Sequence, residues 1–209
     1  MVLDLGFSST QLNNSGKGFS YLIDEPLDLR YNNTVGVSAV QLIKQKTAED
    51  LSRIIFNYSG EKMSKKIAFS LKYFISSNHN PTTLQIAEVI KKIIPLSQKK
   101  HTNKTLSRVW QALRIEVNNE FSHIEKFLPI ALTKLNKNGL LGVVSFHSLE
   151  DKIVTKWMRK IVKPHEVDSF GNKHKDFQLL TKKAITPSQE EINQNPRSRS
   201  SLLRVLKKL

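Results

Sequence analysis

Two short polar segments, each placed after an apolar run, carry the chemistry of this sequence. Near the start, Met1-Val2-Leu3-Asp4-Leu5-Gly6 closes on a carboxylate and a glycine before Phe7-Ser8-Ser9, and past the middle an apolar run from Leu140 to Val144 closes on Ser145-Phe146-His147-Ser148. An apolar run that reads as a buried strand and ends in Asp or Ser suits the crevice of an open α/β sheet, where ligands sit at the carboxyl ends of strands. Asp4 at such a corner can hold an amino group or a polar cofactor atom, and His147 can contact a substrate or take up a proton. The same residue types are also ordinary helix caps, and a solitary His beside a strand is more often hydrogen-bonded scaffold. Covalent chemistry has little support: there is no cysteine, the Gly-x-Ser-x-Gly elbow is absent, and no Ser-His-Asp set can be assigned. Asp24, Glu25 and Asp28 read as a solvated loop, so no metal is expected.

The elements that must position these corners follow from punctuation and periodicity. Asn13-Asn14-Ser15-Gly16-Lys17-Gly18 and Asp24-Glu25-Pro26 are turns, and a helical region opens near Ser38. Thr47-Ala48-Glu49-Asp50 starts a helix whose apolar positions Leu51, Ile54, Ile55 and Tyr58 run to Gly60. Met63, Ile67, Leu71 and Phe74 repeat the spacing, and Leu84, Ala87 and Ile90 form a third stripe that ends at Pro95. A longer helix from Thr105 to Lys134 carries Val109, Trp110, Leu113, Val117, Phe121, Ile124, Leu128 and Leu132, with a bend at Asn118-Asn119. Ser148-Leu149-Glu150-Asp151 caps the helix after the second strand, and Ser201 to Leu206 makes a closing strand.

Charge restricts the partners. A formal net charge of +15 over 209 residues favours polyanions, although an AT-rich genome would also enrich lysine. Lys99-Lys100-His101-Thr102-Asn103-Lys104 and Arg197-Ser198-Arg199 concentrate that charge in loops, where contacts usually sit. No run approaches the roughly 20 apolar residues of a membrane span, and there is no secretory or transit leader, so the cytoplasm is expected.

Further segments, in order along the whole chain, complete a pattern. They are Asp4-Leu5-Gly6-Phe7-Ser8-Ser9-Thr10-Gln11, Gly18-Phe19-Ser20-Tyr21, Pro26-Leu27-Asp28-Leu29-Arg30, Gln111 to Asn118, Ser145-Phe146-His147-Ser148-Leu149-Glu150-Asp151, and Asn195-Pro196-Arg197-Ser198-Arg199-Ser200-Ser201. In this combination the chain resembles the bacterial methyltransferases that modify N4 of a cytidine in 16S ribosomal RNA. The resemblance implies an enzyme with an α/β fold, a partial class I (Rossmann-like) methyltransferase sheet interrupted by an all-helical substrate-recognition domain. On that reading residues 1–30 and 105–209 belong to the sheet domain and 31–104 to the insertion. It also implies S-adenosylmethionine as cofactor, contacted by Asp4 and Gln11, and 16S ribosomal RNA or the small ribosomal subunit as partner. Asp4 and His147 are the catalytic candidates, and Lys104, Arg108, Arg197 and Arg199 the candidates for RNA contact. Arg114 is open between an RNA contact and a structural ion pair. Family members carry an upstream half with a glycine-rich cofactor loop and an acidic residue for the ribose. Neither is in this sequence, and Met1 stands where the fourth strand of the sheet begins. A fragment, a misassigned start and a reduced gene product all remain open, as does a non-catalytic RNA-binding or ribosome-binding role.

Overall fold

A computed structural model describes residues 1–6, 16–164, 166–167 and 173–209, with backbone only at 166–167 and 173–174. The chain divides into two compact units, one formed by Met1–Phe7 with Phe121–Leu209 and the other by Ser8–Glu120.

The first unit is mixed α/β. Its four-stranded sheet has the order β1-β2-β6-β5, with β1 at Val2–Asp4, β2 at Leu140–Ser145, β5 at Phe177–Leu179 and β6 at Leu202–Lys208. β1 runs parallel to β2, and β6 is antiparallel to both β2 and β5. A separate two-stranded ribbon pairs β3 (Glu166–Val167) with β4 (Lys173–His174). In β2 the continuous apolar run is matched by continuous burial from Leu141 to Val143, as a central strand covered on both faces requires. β1 differs from its expectation. It lies at the edge of the sheet, and Val2 is 75% exposed, so the apolar character of Met1 to Leu5 is only partly spent on the core.

Helix α6 (Glu120–Thr133) contributes Ile124, Leu128 and Ala131, and helix α7 (Ser148–Ile161) contributes Val154 and Met158 to this core. These are single helical faces, and they close over Leu141, Val143 and Leu206 of the sheet. Leu141 is wholly buried, so Leu141→Ala is expected to cost this unit about 3 kcal/mol from lost transfer energy and the cavity left behind. Urea unfolding followed by circular dichroism measures it.

The second unit is helical: α1 (Ala39–Gln45), α2 (Ala48–Ser59), α3 (Ser64–Ser77), α4 (Thr83–Ile93), a 3-10 turn over Leu96–His101, and α5 (Thr102–Val117). Local signals set its ends. Ser38 and Thr82 make capping boxes with Gln41 and Gln85, the Thr47 hydroxyl accepts from the Asp50 amide, and Gly60 ends α2 in the left-handed region. Leu51 and Ile55 of α2, Ile67 and Leu71 of α3, Ile86 and Ile90 of α4, and Leu106 and Leu113 of α5 form one core. The third stripe holds at Ala87 and Ile90, both fully buried, but not at Leu84, which is 39% exposed while Ile86 takes a place in the core. The long helix expected from Thr105 to Lys134 is two helices, separated at Asn118 and Asn119, where Asn119 takes a φ of 50°. Asn tolerates that conformation better than most residues.

The loop before α1 is tightly bound. Leu29 is fully buried at a φ of 65°, a strained conformation for a leucine. The Asn118 side chain holds it from both sides, donating to the Leu29 carbonyl (2.8 Å) and accepting from the Tyr31 amide (2.8 Å). Asp28 and Glu25 are not the solvated pair that the sequence suggests. Asp28 grips Arg30 through two oxygens at 2.6 and 2.7 Å, and that hydrogen bonding keeps its carboxyl below the usual aspartate value despite partial burial. Glu25 is buried and accepts from the Gly16 and Gly18 amides.

Candidate active site

Strand register brings three polar segments of the α/β unit to one edge of its sheet. Parallel pairing sets Asp4 opposite Val144, and the Leu5 amide donates to the Val144 carbonyl at 2.9 Å, so β1 and β2 end side by side. Gly6 then turns the chain at a φ of +99°, which favours glycine, and a Cβ placed there would stand 3.6 Å from the Phe146 ring. β6 runs the opposite way, with Leu202 opposite Ser145, so the segment entering β6 arrives at the edge where β2 leaves. That segment is the 3-10 turn Pro196–Ser200. The Asn195 side chain accepts from the Arg197 amide, and the buried Ser198 donates its hydroxyl to the Asn195 carbonyl. Arg197 and Arg199 are left exposed, with no ion pair among the described residues.

His147 is the N-cap of α7, one residue earlier than the Ser148 start read from the sequence. Its Nδ1 accepts from the Glu150 amide at 3.4 Å, and the Glu150 carboxylate reaches back to accept from the Phe146 and His147 amides at 2.9 and 3.3 Å. With Nδ1 accepting, the hydrogen-bond network assigns the proton of a neutral ring to Nε2. Nε2 is buried 3.1 Å from the second Glu150 oxygen, without the alignment of a hydrogen bond. In this orientation the ring faces its own helix. Taking a proton from a substrate would require it to turn away from Glu150.

Glu150 is only 2% exposed. Burial opposes its charge, yet the neighbouring imidazole and two backbone amides outweigh that penalty and keep its carboxyl below the ordinary value. Sequence reading treated this residue as part of a helix cap. The only signal for more was its spacing, three residues after His147. Beside it, Asp151 binds Arg204 of β6 through paired contacts of 2.6 and 2.9 Å, tying α7 to the sheet and holding the guanidinium pKa above its usual value.

Asp4 is exposed at the strand end. Gln11, with Ser8 and Ser9, is outside the described residues. Lys104 and Arg108 belong to α5 of the helical unit: Lys104 is exposed, whereas Arg108 contacts the buried Glu61 carboxylate at 3.4 Å. Arg114 pairs with Glu120 through two contacts of 2.8 and 3.0 Å, and the Tyr31 hydroxyl donates to the same carboxylate, which favours the structural alternative for Arg114. Among the described residues no helix is long and apolar enough to cross a membrane.

A family profile described as the MraW methylase family matches residues 1–209. A protein of Leptospira interrogans named ribosomal RNA small subunit methyltransferase H is 42% identical over 208 residues, covering 100% of this chain and 59% of its own length. Proteins of the same name from a Wolbachia of Brugia malayi and from Clostridium botulinum Kyoto are each 39% identical, with 61% and 69% of their lengths covered. The chain thus spans about three-fifths of the first of these relatives. With matching over its full length and identity near two-fifths, this chain belongs to the MraW methylase family.

Proposed function

We propose that this chain acts in S-adenosylmethionine-dependent methylation of the N4 amine of a cytidine in 16S ribosomal RNA, in the cytoplasm. One observation carries the reading: the pairing of Asp4 with Val144 and of Ser145 with Leu202, which gathers the Asp4, His147 and Arg197–Arg199 segments at one sheet edge. We further propose that the sheet is part of a class I methyltransferase sheet. The helical unit Ser8–Glu120, within which 31–104 falls, would be its inserted substrate-recognition domain.

The residues present fit the cofactor in kind. An exposed carboxylate followed by a glycine at positive φ, at the ends of two parallel strands, is the local architecture that open α/β sheets use for small molecules. Asp4 and Gln11 would hold it, and when bound it supplies a methyl group on a positively charged sulfur. The chain's own task is then to orient the cytosine amine. That nitrogen's lone pair is delocalised into the ring, so the Asp4 carboxylate assists by accepting hydrogen bonds from its N–H groups as it pyramidalises. The nitrogen that gains the methyl must lose a proton, and His147 is the secondary candidate to contact the substrate or take that proton, once its ring has turned from Glu150. Arg197 and Arg199 offer planar forks to phosphates and stacked bases, and Lys104 and Arg108 serve as further RNA contacts.

Isothermal titration with S-adenosylmethionine tests the reading. Saturable binding, followed by methyl transfer to small-subunit RNA in a single turnover, is the expected result. RNA binding with neither would leave a non-catalytic RNA-binding or ribosome-binding protein.

A further inference from the structure

Helix α3 presents two opposite faces. Ile67, Ala68, Leu71 and Ile75 point into the helical core and are at most 2% exposed. The other face carries Lys65, Phe69 and Tyr73 at successive i, i+4 positions, with Lys66 alongside and Lys62 in the turn that leads in. Phe69 is 57% exposed and Tyr73 81% exposed, the latter the most exposed of the large apolar side chains among the described residues.

Helix stability does not account for this composition. Lys65 and Lys66 stand in the first turn, where the helix dipole disfavours cations, and no acidic residue is present there. None of Lys62, Lys65 and Lys66 has a carboxylate partner among the described residues, whereas Lys72 on the same helix is tied to the Lys44 carbonyl at 2.8 Å. The nearest acid in sequence, Glu61, is buried and faces Arg108.

We propose that this face of α3 is a stacking platform for unpaired RNA bases, with Phe69 and Tyr73 receiving the bases and Lys62, Lys65 and Lys66 following the phosphates. Aromatic faces interleaved with cations are how single strands are bound without base readout, because every base offers a π-face while the backbone repeats its charge. A membrane fits poorly, since the apolar face of α3 that could enter lipid is already buried in the core. A stable protein interface fits poorly too, since it needs roughly 800 Å² per partner around an apolar centre, and here two rings lie among lysines. The platform rests on the RNA-directed reading above and extends it to a helix outside the residues assigned there.

The test is fluorescence anisotropy of the full chain with a short unpaired RNA oligonucleotide, a matched duplex, and anionic phosphatidylserine vesicles as competitor. The unpaired strand is expected to bind more tightly than the duplex. Phe69→Ala with Tyr73→Ala should weaken it by about tenfold per ring while leaving the salt slope alone. Lys65→Ala with Lys66→Ala should flatten that slope by about 1.4, near 0.7 for each phosphate released. Tyr73→Trp should retain affinity and show quenched fluorescence on binding, a readout that does not depend on how the alanine pair folds. Wild-type affinity in the double alanine variant, no quenching in Tyr73→Trp, failure of the wild type to bind the unpaired strand, or displacement of RNA by vesicles that depends on the two rings would each overturn the platform. Titration of the same proteins with S-adenosylmethionine separates the two ideas. Ring-dependent RNA binding without cofactor binding sinks the methyltransferase reading alone, and cofactor binding with ring-independent RNA affinity sinks the platform alone.

Discussion

Asp4→Asn is expected to lower single-turnover methyl transfer by about 100-fold or more while leaving the unfolding midpoint unchanged, because on the proposed function it removes the charged acceptor for the reacting amine. The side chain is exposed at the last paired position of an edge strand, so the fold has little invested in it. The isosteric change keeps shape and removes charge, which separates an electrostatic role from a packing one. Titration with S-adenosylmethionine divides the loss further: weaker cofactor binding locates Asp4 at the cofactor, and unchanged binding with slower transfer locates it at the amine. Transfer at the wild-type rate would remove Asp4 from the chemistry.

Glu150→Ala should be the more disruptive change, at a cost of about 3 kcal/mol to the α/β unit. It leaves the Phe146 and His147 amides without their shared acceptor and frees the imidazole from its partner. Glu150→Gln should cost nearer 1 kcal/mol, since an amide oxygen can still accept one of those bonds. The pH dependence has a definite sign. The folded carboxyl titrates below the ordinary glutamate value of 4.5, so its contribution is present above that value and lost as pH falls through the lower folded one. Urea midpoints measured from pH 6 down to pH 3 should therefore decline in the wild type and decline less in Glu150→Gln. Equal acid sensitivity in both proteins would mean that the buried carboxylate is not what acid removes.

These two residues differ in how far they could be read in advance. Asp4 is visible as a carboxylate closing an apolar run, a pattern with a known place in α/β sheets. Glu150 is visible only as the acidic member of a helix start. Its burial depends on the imidazole packed over it and on the loop that β2 delivers. A similar division runs through the arginines. The exposure of Arg197 and Arg199 agrees with their loop-like surroundings, whereas the engagement of Arg114 with Glu120, six residues on, follows from the helix break at Asn118 and Asn119.

By itself the sequence determined what is local: the helical faces from Leu51 to Ile90 apart from Leu84, the stops at Gly60 and Pro95, the buried strand Leu140–Ser145, and the candidate Asp4 and His147 corners. These depend on periodicity, capping and turn chemistry within about four residues, and the chain carries that information at each point. Tertiary structure alone decided that β6 runs antiparallel to β2, delivering the Arg197–Arg199 turn to the edge where Ser145 and Asp4 lie. It also decided that His147 faces Glu150 and that Leu29 is held at a positive φ by Asn118, 89 residues away. The strand pairing and the Asn118 contact join distant segments, whose geometry is set by register and shared burial, while the His147–Glu150 contact is local in sequence but buried only by the surrounding core.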